Sequence, residues 1–509
     1  MSGMLISGER SLSYEALCER VARAARVLAD HGVGRGDVVV FCLRNDIPIF
    51  EGAHATARLG AYAVPMNWHF KAAEAAHVLR DSGAKVLVVH ADLLPALAGS
   101  IPDGVAVLQV ATPPEIARAY GIPDAACRIP AGGKDWTALL DAAAPLGEPG
   151  CPLPISIIYT SGTTGAPKGV RRHPPTTAQL EAARRIFATT YGFDGAVRAI
   201  ATGPLYHSAP YSYTTRCMHF AGTLVLQPRF DAEELLQLIE RHRITHFHIV
   251  PIMFVRLLKL PEAVRRRYDV SSLEFVIHGA APCPPEVKRA MIEWWGPVIH
   301  EYYGSTETSL VTHCDSTEWL ARPGTTGRPM DGVEVKVLDA EGHALPPGEC
   351  GDIYVRSPRI TDFTYHNHDD ARRAIDRDGF VTLGDVGYLD EDGYLFLNDR
   401  SRDMIISGGV NIYPAEIEAA LHTMPGVQDC AVFGIPDAEY GERIAAVIEP
   451  RPGTQLDAGA VLDHLRPRLA NYKLPAKIEF RKDLPREDSG KIFKRKLREP
   501  FWAAAGRRI

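Results

Sequence analysis

Apolar runs and amphipathic stretches alternate along most of the chain. Val38-Val39-Val40-Phe41 and Val86-Leu87-Val88-Val89 are continuously apolar, as strands buried on both faces are, and Ile244 to Val250 reads as a third strand. Leu17 to Leu28 and Ala232 to His242 carry apolar residues at helical spacing. This alternation predicts an α/β fold. Val333 to Val337 and Gly351 to Val355 instead alternate apolar and polar residues, the pattern of a more antiparallel region. The character changes again after Asp399, with a Gly-Gly turn, a helix over Pro414 to His422, a strand over Cys430 to Phe433 and a basic end. A domain boundary is therefore expected at 399–403.

Length and composition narrow the class. A chain of 509 residues is long enough for about three domain-sized units. The net charge of −6 gives no general case for nucleic acid or an anionic membrane. No apolar run approaches the ~18 residues of a membrane span, and the early charges of the N-terminus are unlike a signal peptide. Nine cysteines, an odd number without CxxC spacing, read as reduced thiols in a cytoplasmic protein. From Tyr472 onward there are 12 Lys or Arg against 5 Asp or Glu. Most of these are expected to be solvated, with a share free to meet phosphates.

The run Tyr159 to Val170, YTSGTTGAPKGV, carries the most chemistry. It sets Thr160, Ser161, Thr163 and Thr164 around Gly162 and Gly165, with Lys168 following. Small hydroxyl residues between glycines leave backbone N–H groups open to a polyphosphate, and the lysine adds charge. The apolar run 155–159 before it predicts a strand, so the loop should hang from a strand end. The spacing is neither a Walker loop nor GxGxxG. The run resembles the phosphate-loop signature of the adenylate-forming superfamily, which includes acyl-CoA synthetases, adenylation domains and firefly luciferase.

Further segments extend the resemblance in the expected order. In EYYGSTET, Glu301 to Thr308, Tyr303 before Gly304 offers an aromatic face to a purine. Thr306 offers a hydroxyl to a phosphate, and Glu307 a hard oxygen suited to Mg²⁺. The resemblance implies adenine stacking for Tyr303, an α-phosphate contact for Thr306 and the metal for Glu307 together with Thr160. Gly279, Ala280 and Ala281, after the strand Val276 to His278, resemble the segment that lets adenine lie against backbone. Asp385, held between Gly384 and Gly387, resembles the ribose-binding aspartate. Arg400 matches the arginine that contacts ribose and phosphate. Arg402 matches the hinge pivot, which is usually Asp or Lys. Gly408 and Gly409 resemble glycines that line a pantetheine channel. Lys491, after Ser489-Gly490, matches the catalytic lysine of a mobile C-terminal domain. A cation that arrives in one domain orientation only suits a reaction in two steps.

The implied architecture is α/β. A large N-terminal domain, 1–399, combines α/β subdomains with a β-barrel-like part. A hinge at 400–402 joins it to a small mobile α+β domain, 403–509. The implied reaction is an acid–CoA ligation: a carboxylic acid and Mg·ATP give an acyl-adenylate and pyrophosphate, and coenzyme A then displaces AMP. ATP, Mg²⁺ and coenzyme A are the expected cofactors. No nucleic acid or integral membrane partner is expected, and a homodimer is compatible with the sequence, although no residue argues for one.

Gly203 to Pro210 resembles the acyl-pocket segment, with His207 near the substrate carboxylate. Tyr211, Tyr213, His248, Met253, Phe254 and Tyr302 are pocket candidates. They suit a bulky hydrophobic acid, fatty, aryl or steroid-like. The segment lacks the aspartate of amino-acid-activating relatives, and the spacing from Tyr354 to Asp385 is short for the insertion of ligases that do not use coenzyme A. Three readings remain: acid–CoA ligase, an enzyme that loads a carrier-protein phosphopantetheine, and a catalytically inactive binding protein on the same fold.

Overall fold

The computed structural model describes residues 3–504 apart from 161–166, 194, 196, 360, 401–403, 408–409, 438–439 and 487–491; for 221, 399, 400, 406, 410, 411, 441 and 504 it describes the backbone only. Among these residues four sheets form. A four-stranded parallel sheet has the order Tyr62–Pro65, Val38–Cys42, Ala84–His90, Ala106–Val110. A larger sheet has a parallel half in the order Met4–Ser7, Ala221–Leu226, Val197–Ala201, His246–Ile249, Phe275–His278, Ile299–Ser305. Beyond Ile299–Ser305 it turns antiparallel through Ser309–Cys314, Thr325–Pro329, Leu395–Arg400, Phe380–Leu389, Gly351–Arg356 and Glu334–Leu338. A small antiparallel sheet joins Phe363–Tyr365, Lys168–Arg172 and Ile157–Thr160. The last sheet lies wholly after residue 404, with Gly441–Pro450 at its centre.

The expected strands and helices are present within a few residues. Helix Tyr14–Asp30 is capped by the Ser13 hydroxyl, which accepts from Ala16 N–H, and it buries Leu17, Val21, Ala24, Ala25 and Leu28. Helix Ala232–His242 carries Glu233 and Glu234 in its first turn and Arg241 and His242 in its last, matching its dipole. One expectation changes in detail. The strand before the phosphate loop, Ile157–Thr160, is one arm of a β-hairpin, because the chain returns antiparallel to it as Lys168–Arg172. No helix among the described residues is long and apolar enough to cross a membrane.

The parallel half of the large sheet separates two cores. One lies between it and the four-stranded sheet and joins Val39, Phe41 and Val88 to Ala199, Leu224 and Ile277. The other lies on the opposite face, under helices Ala232–His242, Pro251–Leu258 and Pro285–Trp295. A buried polar corner after Cys42 ties the two sheets together. Asn45 donates through Nδ2 to the carbonyls of Gly203 and Gln227, both at 3.0 Å, and accepts from Leu205 N–H at 3.0 Å. Asp46 caps helix Ile47–Arg58 and accepts from His90 Nε2 at 3.0 Å and from Arg10. His90 Nδ1 accepts from Arg44 N–H, which leaves the proton on Nε2 facing Asp46.

Two expectations follow for stability. Asn45→Leu leaves one N–H and two carbonyls buried without partners, at ~1–3 kcal/mol each. It should destabilise the chain by about 3 kcal/mol or more in urea unfolding, and a loss below ~1 kcal/mol would show that these groups find other partners. Burial holds His54, His219 and His248 down to about 4, and His300 to about 3, from an ordinary 6.5. The unfolded chain therefore binds protons that the folded chain refuses once the pH drops below 6.5. Stability should fall as pH goes from 6.5 towards 4, with net proton uptake on unfolding in calorimetry; a flat profile across this window would contradict the burial of these rings.

Candidate active site

The phosphate-loop hairpin is fixed at both arms. Thr160 pairs with Lys168 and Tyr159 with Gly169. A Cβ on Gly169 would stand 2.8 Å from Ile157 Cγ2 and 3.0 Å from the Tyr159 ring, so the close approach of the arms requires glycine there. Tyr159 OH donates to Asp81 at 2.7 Å and holds the hairpin to the end of helix Ala72–Asp81. Ser161, Gly162, Thr163, Thr164 and Gly165 lie outside the described residues. Lys168, beyond them, sets its Nζ 5.7 Å from the centroid of the Tyr365 ring.

The segment after Tyr303 folds back tightly on the next strand. A Cβ on Gly304 would fall 2.0 Å from the Ser309 carbonyl oxygen. Ser305 Oγ accepts from the N–H groups of Glu307 (3.1 Å) and Thr308 (2.9 Å), shaping the turn that presents Thr306 and Glu307. Two residues from the hairpin sheet hold this turn. The interior guanidinium of Arg172 donates to the carbonyls of Thr306 at 2.8 Å, Glu307 at 3.0 Å and Thr361 at 2.8 Å. Its burial, and the repulsion of Arg216, bring it down to about 10, with Glu307 and Asp362 acting against them. Tyr365 OH donates to Glu307 Oε1 at 3.1 Å. One tyrosine thus touches both Lys168 and Glu307, and it leaves Oε2 of Glu307 to a hard cation, a donor that fits Mg²⁺.

Sequence reasoning did not single out Arg172 or Tyr365. The signal for Arg172 was present: in a strand it shares a face with Val170, which is buried. Tyr365 gave no such signal. Its place depends on the register that sets it opposite Val170, which joins segments nearly two hundred residues apart.

The segment expected to hold adenine, the nucleotide wall, follows strand Phe275–His278, which pairs in parallel with Ile299–Ser305 through His278 and Glu301. A Cβ on Gly279 would meet Tyr302 Cε1 at 2.6 Å and the Tyr302 carbonyl at 2.7 Å, so backbone and ring are in direct contact. Ala280 has φ +66°, a costly conformation for a residue with a Cβ and one concentrated at functional sites. Ala281 is exposed beside it. Tyr303 OH donates to Asp385 Oδ2 at 2.6 Å, which brings the purine and ribose candidates together from residues 82 apart. Behind the wall, Lys288 and Glu301 form a buried ion pair at 2.6 Å. Burial raises the Glu301 carboxyl and Lys288 draws it back. Arg402, Gly408, Gly409 and Lys491 lie outside the described residues, as does the side chain of Arg400. The residues flanking Lys491 are anchored: Arg486 pairs with Ile492, Phe493 N–H donates to the Pro485 carbonyl at 2.8 Å, and Arg486 is ion-paired with Asp429 and Glu449.

On the acyl side, His207 stands at the N-terminus of helix Ser208–Cys217, with its ring 4.4 Å from that of Tyr206. Tyr213 packs against Tyr191 (5.0 Å between centroids), Phe193 (5.3 Å) and His248 (6.2 Å). His248 Nε2 is 3.0 Å from Tyr302 OH, and burial keeps this imidazole neutral. Tyr211, Tyr213 and Tyr302 belong to one core, so a continuous aromatic wall runs from Tyr302, at the nucleotide wall, to Tyr191. Met253 and Phe254 are not part of it. They are buried in the second core, and Phe254 packs on Trp295 and His278. The cause is strand alternation: His248 faces the aromatic wall, while Phe247 and Ile249 face the side where helix Pro251–Leu258 packs.

Comparisons with known proteins agree with this geometry. The family described as AMP-binding enzyme matches residues 3–363, and that described as AMP-binding enzyme C-terminal domain matches residues 416–491. A feruloyl-CoA synthase of an Amycolatopsis species is 34% identical over 506 residues, 97% of this chain and 95% of that one. A fatty acid–[acyl-carrier-protein] ligase, ScoC, of Streptomyces coeruleorubidus is 32% identical over 517 residues, covering 98% and 93%. The crystal structure of ATP-bound MatB from Rhodopseudomonas palustris superposes with a TM-score of 0.83 at 28% identity, over 98% of this chain and 96% of that one. A hairpin clamped to the Glu307 turn, a tyrosine set on Asp385 and a family match across most of the chain converge: the chain belongs to the AMP-binding enzymes.

Proposed function

We propose that the chain is an acid–CoA ligase that activates a hydrophobic carboxylic acid with Mg·ATP, forming an acyl-adenylate and pyrophosphate, and then transfers the acyl group to coenzyme A with release of AMP. The observation that carries this reading is the clamp of Arg172 and Tyr365, which joins Lys168, Thr306 and Glu307 into one phosphate-facing unit. Phosphoryl-type transfer is mostly positioning and electrostatics, which is what such a clamp supplies. Lys168 and the loop before it bind the leaving phosphates. Tyr303 and the backbone of Gly279 to Ala281 hold adenine, and Asp385 accepts from the ribose. Mg²⁺, held by Glu307 with Thr160, would neutralise phosphate charge. The Tyr302–His248–Tyr213 wall takes the acid, with His207 at its carboxylate.

The division of labour follows the domains 1–399, 400–402 and 403–509. Lys491 would neutralise the attacking carboxylate and the phosphorus in the first step. Arg402 would be the pivot, Arg400 would contact ribose and phosphate, and Gly408 and Gly409 would line the thiol's channel in the second step. The substrates are small molecules, and the setting is the cytoplasm. A carrier-protein phosphopantetheine is the second candidate acceptor, since one relative at 32% identity is named for that activity.

The test is pyrophosphate release from ATP and Mg²⁺ with a broad panel of acids, with and without coenzyme A. Acid-dependent release completed to a thioester is expected. Release without thioester would transfer the acceptor role to a carrier protein, and silence with every acid would remove the ligase reading. Lys491→Ala should cut adenylation by ~10²–10³ yet spare thioester formation from preformed acyl-adenylate; equal loss in both halves would refute a lysine serving one step. Arg172→Met should lower adenylation by ~10² and raise the Mg²⁺ required, because the Glu307 turn loses two of its anchors and small misplacements are costly. An unchanged Mg²⁺ dependence would show that Glu307 is held without it.

A further inference from the structure

The aromatic wall contains hydrogen-bond donors that the fold does not use. Tyr211 and Tyr213 are 5% and 1% exposed, and among the described residues neither phenol oxygen has a hydrogen-bond partner. Arg216 stands three residues after Tyr213 on the same helical face. It stacks on Phe187, 3.9 Å from the ring centroid, and its polar contacts are within its own helix: Nη1 to Ser212 Oγ at 2.5 Å and to the Ser212 carbonyl at 3.3 Å. No carboxylate among the described residues pairs with it. Its charged surroundings are cationic: Arg172 and Arg216 repel one another, and Arg184 and Arg216 together disfavour a proton on His219. The other groups facing it are the phenols of Tyr191 and Tyr211. In a chain of net charge −6, this is a local excess of positive charge beside two phenols without a partner among the described residues. A half-buried guanidinium left in that state is costly unless something else brings the oxygen.

We propose that Arg216, Tyr211 and Tyr213 recognise a second oxygen-bearing group on the acid, a carboxylate or hydroxyl remote from the carboxylate that is activated, so that oxygenated acids are preferred to plain hydrocarbon acids of the same length. This rests on the acid-activating reading above and deepens it. Arg216 is the element for a carboxylate, which its planar fork meets with two parallel bonds. The phenols are the elements for a hydroxyl or carbonyl. Sites built to bond a polar group reject analogues lacking it far more strongly than apolar pockets reject a missing methylene, because their own donors are then left unpaired.

The experiment uses matched acids on the full chain: octanoate against its ω-hydroxy and ω-carboxy derivatives, and phenylpropanoate against its para-hydroxy and para-carboxy derivatives. Two quantities are read for each: kcat/KM in acid-dependent pyrophosphate exchange, and equilibrium binding of the acid by calorimetry. The oxygenated members should lead by about tenfold or more in at least one series. Arg216→Met should collapse the preference for the carboxy member towards unity, while Arg216→Lys keeps part of it. Tyr211→Phe and Tyr213→Phe should erode the preference for the hydroxy member without lowering the melting temperature, since each removes only a phenol with no partner. Preference for the hydrocarbon members in both series, or ratios unchanged in all these variants, would overturn the proposal. Discrimination in binding with no exchange from any acid would sink the ligase reading and leave the recognition site standing. Exchange without discrimination would do the reverse.

Discussion

The guanidinium of Arg172 has no ion-paired carboxylate among the described residues and spends its donors on three main-chain carbonyls. That choice of partners explains much of the site. Carbonyls of a turn cannot supply one another with hydrogen bonds, and the Thr306–Glu307 turn, between strands Ile299–Ser305 and Ser309–Cys314, has no strand pairing with it among the described residues. A charged fork reaching across from the hairpin sheet satisfies both carbonyls and fixes the turn relative to Lys168, four residues earlier in the same strand. Burial brings this guanidinium down to about 10, still far above neutrality, so its charge persists through the physiological range. Tyr365 reinforces the link on the side-chain level by touching Glu307 and Lys168 together.

A second polar device works on a longer scale. Asn45 binds the carbonyls and amide of segments that follow two strands of the large sheet, and one of these segments runs directly into His207. The acyl side is therefore referenced to the four-stranded sheet, while the phosphate side is referenced to the hairpin. The two meet at Tyr302, whose ring and carbonyl leave room for no more than a glycine at 279 and whose hydroxyl engages His248. In the proposed reading Tyr302 borders both nucleotide and acid, which suits an enzyme that must join a carboxylate to the α-phosphorus of the nucleotide, because one rigid element then orients both reactants.

The treatment of charge differs between the two cores. Lys288 and Glu301 are buried as a pair behind the nucleotide wall, and a lone charge there would be costly. Around the acyl helix His219 and His248 are held neutral and Arg216 has no carboxylate partner among the described residues, so the charge on this helix is positive. The contrast sets a sealed structural pair against a region left electrostatically incomplete.

Strands, helices and the order of the chemistry-bearing segments were legible in the chain itself, because each depends on short-range patterns. The apolar run Val38 to Phe41 became a central strand, the caps at Ser13 and Asp231 began the expected helices, and glycines at 169, 279 and 304 stand where neighbouring backbone or rings exclude a Cβ. Membership of the family was legible for the same reason, since the Thr160–Lys168 and Tyr303–Glu307 runs are contiguous. Contacts between distant segments were not. Tyr365 reaches Glu307 only through the pairing of 363–365 with 168–172, and Tyr303 reaches Asp385 only after the large sheet has turned antiparallel. Met253 and Phe254 looked like pocket residues because they are bulky and follow His248, yet the alternation of side chains about strand His246–Ile249 sent them to the other face. Sequence by itself determined which groups are available and in what order. The tertiary structure alone decided which of them face one another, because register and sheet face are set by pairings between residues that no local pattern connects.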